Sequence, residues 1–173
     1  MKPLEIKTYP DNILRKKCEP IEKITEGERE LFEKMLFTMR YSYGIGLAAP
    51  QIGRSIALAV IDPRPLQEDA KPLVILNPTL VEQRGECSFE EGCLSIPDVR
   101  QDVVRPESIV VTGLDLEGNP TSIETGGLLA RILQHEIDHL NGVLFTDRLG
   151  SVQRQMIQAQ LDALGDARER DEA

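Results

Sequence analysis

The chain predicts an α+β fold: antiparallel sheets packed around a central helix, with another helix near the N-terminus and a third at the C-terminus. Three observations carry this expectation. A capped, apolar-periodic stretch opens near residue 25, short β-branched runs broken by Pro, Gly and Asn fill the middle, and two helical periods close the chain. At 173 residues, with neither an internal repeat nor a linker, a single domain over 1–173 is expected, long enough to bury a real core.

Residues 4–24 hold Pro10 and Pro20 and no sustained period, which predicts an extended arm. Thr25, with Glu28 three residues on, is a capping box. Leu31, Met35 and Met39 follow at helical spacing with Phe32 and Leu36, predicting a helix over about 25–41 that stops at Gly44. Gly44–Gln51 is a small-residue loop, followed by a strand-like run at Ser55–Asp62 and a proline-rich surface loop to Pro72. Leu73–Val81 reads as a strand interrupted by Asn77-Pro78, hence an edge strand or a bulge. Val99–Leu116 gives two short strands broken at Pro106, and Glu117-Gly118-Asn119 turns the chain into a strand at Thr121–Glu124. Leu128–Leu140 has helical period with Asn141-Gly142 as its stop. A last helix starts at Ser151, with Val152, Met156, Ile157, Leu161 and Leu164 as its stripe and Gly165 as its end; 166–173 reads as a charged, frayed tail.

A hydrophobic fraction of 40% with 28% charged residues fits a globular, water-borne chain. The net charge of -9 excludes a general nucleic-acid binder, which needs clustered Lys and Arg. No run reaches the roughly 18 apolar residues of a membrane span. The start, Met1-Lys2-Pro3-Leu4-Glu5, is unlike a signal or transit peptide. An odd count of three cysteines (Cys18, Cys87, Cys93) then points to a reducing cytoplasm. A monomer is the default.

The chemistry concentrates at His-Glu-Ile-Asp-His, residues 135–139, which holds the only two histidines of the chain. Positions four apart share a helix face, so His135 and His139 can hold one metal ion, and the central helix becomes a metal-binding helix. Glu136 stands where a carboxylate can take the proton of an activated water. The plain alternative is a pair of solvated or core histidines. Leu128 and Ile132 precede them on the same stripe, however, and two unpaired imidazoles facing a core would be costly.

With no third histidine, the remaining ligand is a cysteine or a carboxylate. Cys93 follows Gly92, which permits a sharp turn, and one thiolate with two imidazoles leaves a position open for water. A closed site using Cys87 as well is a rival, as is a carboxylate from Asp147, Asp162 or Glu169; Cys93 is preferred. These ligand types suit iron, zinc, nickel or cobalt. In the Gly44–Gln51 loop, Gln51 offers a carboxamide donor for a developing oxyanion. A metallopeptidase and a non-catalytic zinc protein stay open as readings.

Gly44-Ile45-Gly46-Leu47-Ala48-Ala49-Pro50-Gln51, Glu91-Gly92-Cys93-Leu94-Ser95 and Gln134-His135-Glu136-Ile137-Asp138-His139, in that order, resemble the three motifs of the peptide deformylases. The resemblance extends to Tyr9-Pro10, Asn77-Pro78 and the closing helix, and so spans nearly the whole chain. It implies an enzyme that removes the formyl group from the N-terminal formyl-methionine of new polypeptides and releases formate. It implies Cys93, His135 and His139 as ligands of one divalent ion, natively Fe2+, with Glu136 as proton carrier and Gln51 and the Leu94 amide as oxyanion donors. Ile45 and Gly46 would pair with the extended peptide. Ile45, Phe89, Leu128 and Ile132 would line the methionine pocket beside His135, and Arg100 would lie near the peptide. Glu91 and Arg105 would form an ion pair behind the metal loop.

Two departures stand out. Arg131 takes a rim position that is often apolar in the family, and is expected to snorkel to solvent. In some members the closing helix docks on the ribosome through basic residues. Here Asp162, Asp166, Glu169, Asp171 and Glu172 dilute Arg154, Arg168 and Arg170, which weighs against that contact.

Overall fold

The structure, a computed structural model, describes residues 1–171, with side chains described as far as Ala167. Helix α1 (Glu26–Tyr41) begins as its capping box requires: Thr25 Oγ1 accepts from Gly27 N–H at 3.2 Å, and the Glu28 carboxylate accepts from Thr25 N–H at 2.8 Å. Strands β1 (Gly46–Ala48), β2 (Leu58–Ile61), β3 (Leu73–Arg84), β4 (Cys87–Cys93), β5 (Ile96–Arg105), β6 (Ser108–Leu114) and β7 (Pro120–Gly126) follow. Helices α2 (Gly127–Leu140) and α3 (Ser151–Asp171) close the chain. The strands form an antiparallel five-stranded sheet in the order β1-β2-β3-β6-β7 and a separate β4-β5 hairpin.

Strand β2 shows how the layers arise. All four of its residues are buried, because alternate side chains enter different cores. Leu58 and Val60 pack with Met35, Leu36 and Met39 of α1. Ala59 and Ile61 pack with Ala130, Leu133, Ile137 and Leu140 of α2. The five-stranded sheet therefore lies between α1 and α2. The opposite face of α2 meets the β4-β5 hairpin, whose Val99 and Val103 pack with Leu14, Phe145 and the α3 residues Ile157 and Leu161. The expected arrangement of antiparallel sheets around a central helix is the one observed.

Several local expectations need correction. Residues 46–48 are not loop but the edge strand of the large sheet: pairing runs through the backbone, and Gly46 registers with Ile61. The register of β3 shifts between Leu76 and Thr79, so Asn77-Pro78 is a bulge. The strand is nevertheless central, because the missing Pro78 N–H falls where the ladder is already interrupted. Strand β4 was not anticipated, and the tight turn falls at Leu94-Ser95 rather than at Gly92. In α3, Val152 and Met156 are 69% and 68% exposed, so the buried stripe is narrower than its apolar residues suggest. The helix also continues past Gly165 to Asp171; residues 172–173 of the expected frayed tail lie outside the described residues. No described helix is long and apolar enough to cross a membrane.

Candidate metal centre

Helix α2 and the end of β4 bring the three expected ligands together. The ligand atoms of Cys93, His135 and His139 all lie within 4.8 Å of one another, the one such group among the described residues. Cys93 Sγ stands 3.2 Å from Nε2 of His139, and the two imidazoles meet edge to face with centroids 5.0 Å apart. His135 Nδ1 is engaged by the Glu91 carboxylate at 2.9 Å, which leaves Nε2 for an ion. A thiolate and two imidazoles are three of the four donors a tetrahedral ion takes, the arrangement of a site that also admits water.

Glu136 borders this group, and its Oε2 is buried without a hydrogen-bond partner among the described residues. Burial, assisted by the charges of Glu91 and Asp138 and opposed by His135 and Arg105, pushes its carboxyl up to about 7. A buried carboxylate oxygen with no donor, next to a preformed donor cluster, fits a divalent ion and its water. The close approach depends on Gly46: a Cβ there would lie 2.3 Å from Glu136 Oε1.

Behind this group runs a row of charges, buried except for Arg148 at its end. Glu91 accepts from Arg105 at 2.6 and 2.9 Å, so the expected ion pair is present, and Arg105 also reaches Asp138 at 2.7 Å. Asp138 in turn receives two bonds from Arg148, each 2.5 Å. Burial opposes the charge of Glu91, but hydrogen bonds from His135 and Arg105 outweigh it and hold the carboxyl well below its usual range. Arg131 does not snorkel. It is 4% exposed and donates to Glu91, to the carbonyls of Val103 and Cys87, and to Cys87 Sγ, because a cation on the core stripe of α2 finds its acceptors on the hairpin.

Gln51 is buried beside the cluster. Its Oε1 accepts from Ala48 N–H at 2.8 Å, and its Nε2 donates to Ser95 Oγ at 3.2 Å and points to Cys93 Sγ at 3.5 Å. A cleft of about 580 Å³ opens over the site, and Ile45, Gly46, Leu94, Leu128 and Ile132 line it. Phe89 also borders it as an exposed rim residue, and so does Arg100, 3.4 Å from Glu90. The rival ligands are engaged elsewhere: Cys87 with Arg131, Asp147 with Arg15 and the Leu144 N–H, and Asp162 with Gln158. The side chain of Glu169 lies outside the described residues.

Sequence reasoning missed Ser95 and Asp138 as parts of this site, and it set Arg131 at the pocket rim but turned it to solvent. Arg131 carried a signal, since it sits four residues before His135 and so shares the metal face of the helix.

Such a fold, with a helix that places two imidazoles and an acid against a cysteine from a sheet turn, defines a metal-dependent hydrolase. The polypeptide deformylase family profile matches residues 3–155. A peptide deformylase of Chlorobium limicola is 47% identical over 165 residues, covering 94% of this chain and 89% of that protein. The crystal structure of a peptide deformylase from Legionella pneumophila, at 44% identity, superposes with a TM-score of 0.88 over 98% of this chain and 99% of that one. One from Arabidopsis thaliana, at 39% identity, reaches 0.93 over 97% and 93%. The chain belongs to the peptide deformylase family, and it removes the formyl group from N-terminal formyl-methionine.

Proposed function

We propose that Cys93, His135 and His139 hold one divalent ion, natively Fe2+, with Zn2+, Ni2+ or Co2+ as workable substitutes. The mutual approach of these three ligands beside the unpartnered oxygen of Glu136 is the observation that carries the reading. When bound, the ion supplies Lewis acidity that makes water a nucleophile near neutral pH. Glu136 accepts the proton of the attacking water and returns it to the departing amine as formate leaves. Its raised affinity for protons in this buried setting suits both steps, although a nearby cation draws it back toward the carboxylate.

Gln51 Nε2 and the amide of Leu94 stabilise the oxyanion of the tetrahedral intermediate. Gln51 is supported in this role by its clamp to Ala48 and Ser95, which presents its amide beside Cys93. Strand β1 ends the large sheet, so its outer edge, entered at Ile45 and Gly46, is where an extended peptide adds as a further strand. Ile45, Phe89, Leu128 and Ile132 receive the methionine side chain, and Arg100 at the rim meets the peptide beyond it. The substrates are nascent formyl-methionyl chains, met by a monomer in a bacterial-type cytoplasm.

The test is Glu136→Ala, assayed for formate release from formyl-Met-Ala-Ser and for bound metal. The variant keeps its ion and loses about 10²–10⁴-fold in kcat. Turnover within a few-fold of the parent would remove Glu136 from the chemistry, and loss of the ion would make it a ligand instead.

A further inference from the structure

Among the described residues, Arg131 is the one of the metal helix whose side chain bonds both strands of the β4-β5 hairpin. Its Nη1 donates to Glu91 Oε1 at 2.9 Å and to the Val103 carbonyl at 2.6 Å. Its Nη2 donates to the Cys87 carbonyl at 2.9 Å and to Cys87 Sγ at 3.2 Å. Taking a cation out of water costs several kcal/mol unless its donors are met. A leucine would cover this stretch of helix without that cost, so the fork of the guanidinium is specifically used.

What it serves is visible from Glu91. One oxygen of that carboxylate accepts from both Arg131 and Arg105; the other accepts from Arg105 and faces Nδ1 of His135. Arg105 is itself shared with Asp138, whose further partner is Arg148. The row Arg131–Glu91–Arg105–Asp138–Arg148 thus alternates in sign, and Arg131 is the only guanidinium in it that Glu91 does not share with another carboxylate. Without it, the carboxylate against His135 is anchored from one side and by a divided partner.

We infer that Arg131 is a positioning residue for deformylation: it locks Glu91 against His135, and with the same guanidinium it fastens both hairpin strands to α2, where they wall the methionine pocket. The inference rests on the reading of Cys93, His135 and His139 as the ion's ligands. Outer partners of a ligating imidazole are typically worth about 10–100-fold in metal affinity. A lysine at 131 keeps the charge but, as a single ammonium, cannot span Glu91 and two strand carbonyls at once.

The experiment compares nickel-loaded parent, Arg131→Lys, Arg131→Met, Glu91→Gln and the Arg131→Lys/Glu91→Gln double variant. The first readout is the rate at which excess chelator strips nickel. Arg131→Lys is expected to release nickel about 10-fold faster than the parent, and Arg131→Met faster still. If Arg131 acts through Glu91, adding Arg131→Lys to Glu91→Gln changes the rate by less than about 2-fold. The second readout is turnover of formyl-Met-Ala-Ser, where KM rises by a larger factor than kcat falls because the pocket wall has lost its tie.

Parent-like nickel release by Arg131→Lys would overturn the inference. So would full additivity with Glu91→Gln, which would make Arg131 plain scaffold. Should Arg131→Met not fold, the lysine variant and the double variant carry the test alone. Parent protein that takes up no nickel, or takes it up equally with His139→Ala, would sink the reading of the ligands; parent protein that holds nickel through His139, beside an indifferent Arg131→Lys, would sink only the role of Arg131.

Discussion

Gly46 shows how one missing methyl group governs the site. Its backbone runs so close to α2 that a Cβ would stand 2.3 Å from Glu136 Oε1, 2.9 Å from its Cδ and 3.0 Å from Ile132 Cγ2. The glutamate is buried and has little room to retreat. Gly46→Ala is therefore expected to displace the acid by a fraction of an ångström to an ångström, a misplacement that can cost about 10²-fold in rate. Overpacking adds about 1–3 kcal/mol of instability. Formate assays and thermal unfolding measure the two effects; a fully active Gly46→Ala protein would mean that the close approach is not needed. Cys87 predicts the opposite outcome. Its sulfur takes a bond from Arg131 and is no member of the ligand group, so Cys87→Ser, which retains an acceptor, leaves metal content and turnover nearly unchanged. Loss of the ion in that variant would revive the closed site with two cysteines.

At the scale of elements, Asp62 ties the end of β2 to α1. It accepts from Arg40 Nε at 2.8 Å and from Arg64 Nε and Nη2 at 2.9 and 2.6 Å, and its N–H donates to the Ile45 carbonyl just before β1. Hydrogen bonds from Arg64, opposed by burial and aided by Arg40, hold its carboxyl well below the usual carboxylate range. Because the folded value lies below the unfolded one of about 3.9, the stabilisation is complete above that pH and drains away as the pH falls toward the folded value. Asp62→Asn should therefore melt at a lower temperature than the parent at pH 7, with the difference shrinking steadily below about pH 4. Melting curves across that range check it, and a gap that persisted or widened in acid would assign the loss to something other than charge. How far each element was legible follows from similar local physics. Helix α1 and helix α2 carry caps and wide apolar stripes, and β2 is a continuous apolar run, so their periods are plain in the sequence. Strand β4 is Cys-Ser-Phe-Glu-Glu-Gly-Cys, exposed over much of its length, and offers no alternation to read. Strand β1 is only three residues, Gly-Leu-Ala, held by a distant partner. The two proposed imidazole ligands were legible because helical spacing alone aligns His135 with His139. Arg131 was not, because two of its acceptors are backbone carbonyls of strands that had to be seen before a buried guanidinium made sense.

For the whole molecule, the decisive feature is that the proposed ligands come from two separate layers. Cys93 lies at the end of the β4-β5 hairpin, while His135 and His139 belong to the helix that packs on the five-stranded sheet. An ion that ties them together stabilises only the folded arrangement, in proportion to RT ln(1 + [L]/Kd), about 2.7 kcal/mol at a free concentration one hundred times Kd. Without it, Nδ1 of His139 is buried and unpartnered among the described residues, and Cys93 Sγ stands 3.2 Å from His139 Nε2 with no cation between the layers to hold them. The three apolar clusters do not pass through the ion: one joins α1 to the sheet, one joins the sheet to α2, and one joins the hairpin to α3. Chelator treatment should consequently lower the melting temperature by several degrees and abolish formate release, yet leave the far-ultraviolet circular dichroism of the cold protein almost unchanged. Adding back nickel or cobalt should restore both temperature and turnover together. Calorimetry with and without chelator decides the matter. Equal melting temperatures would show that the ion bridges nothing, and loss of secondary structure in the cold would show that the sheet and helices depend on it rather than on their own cores.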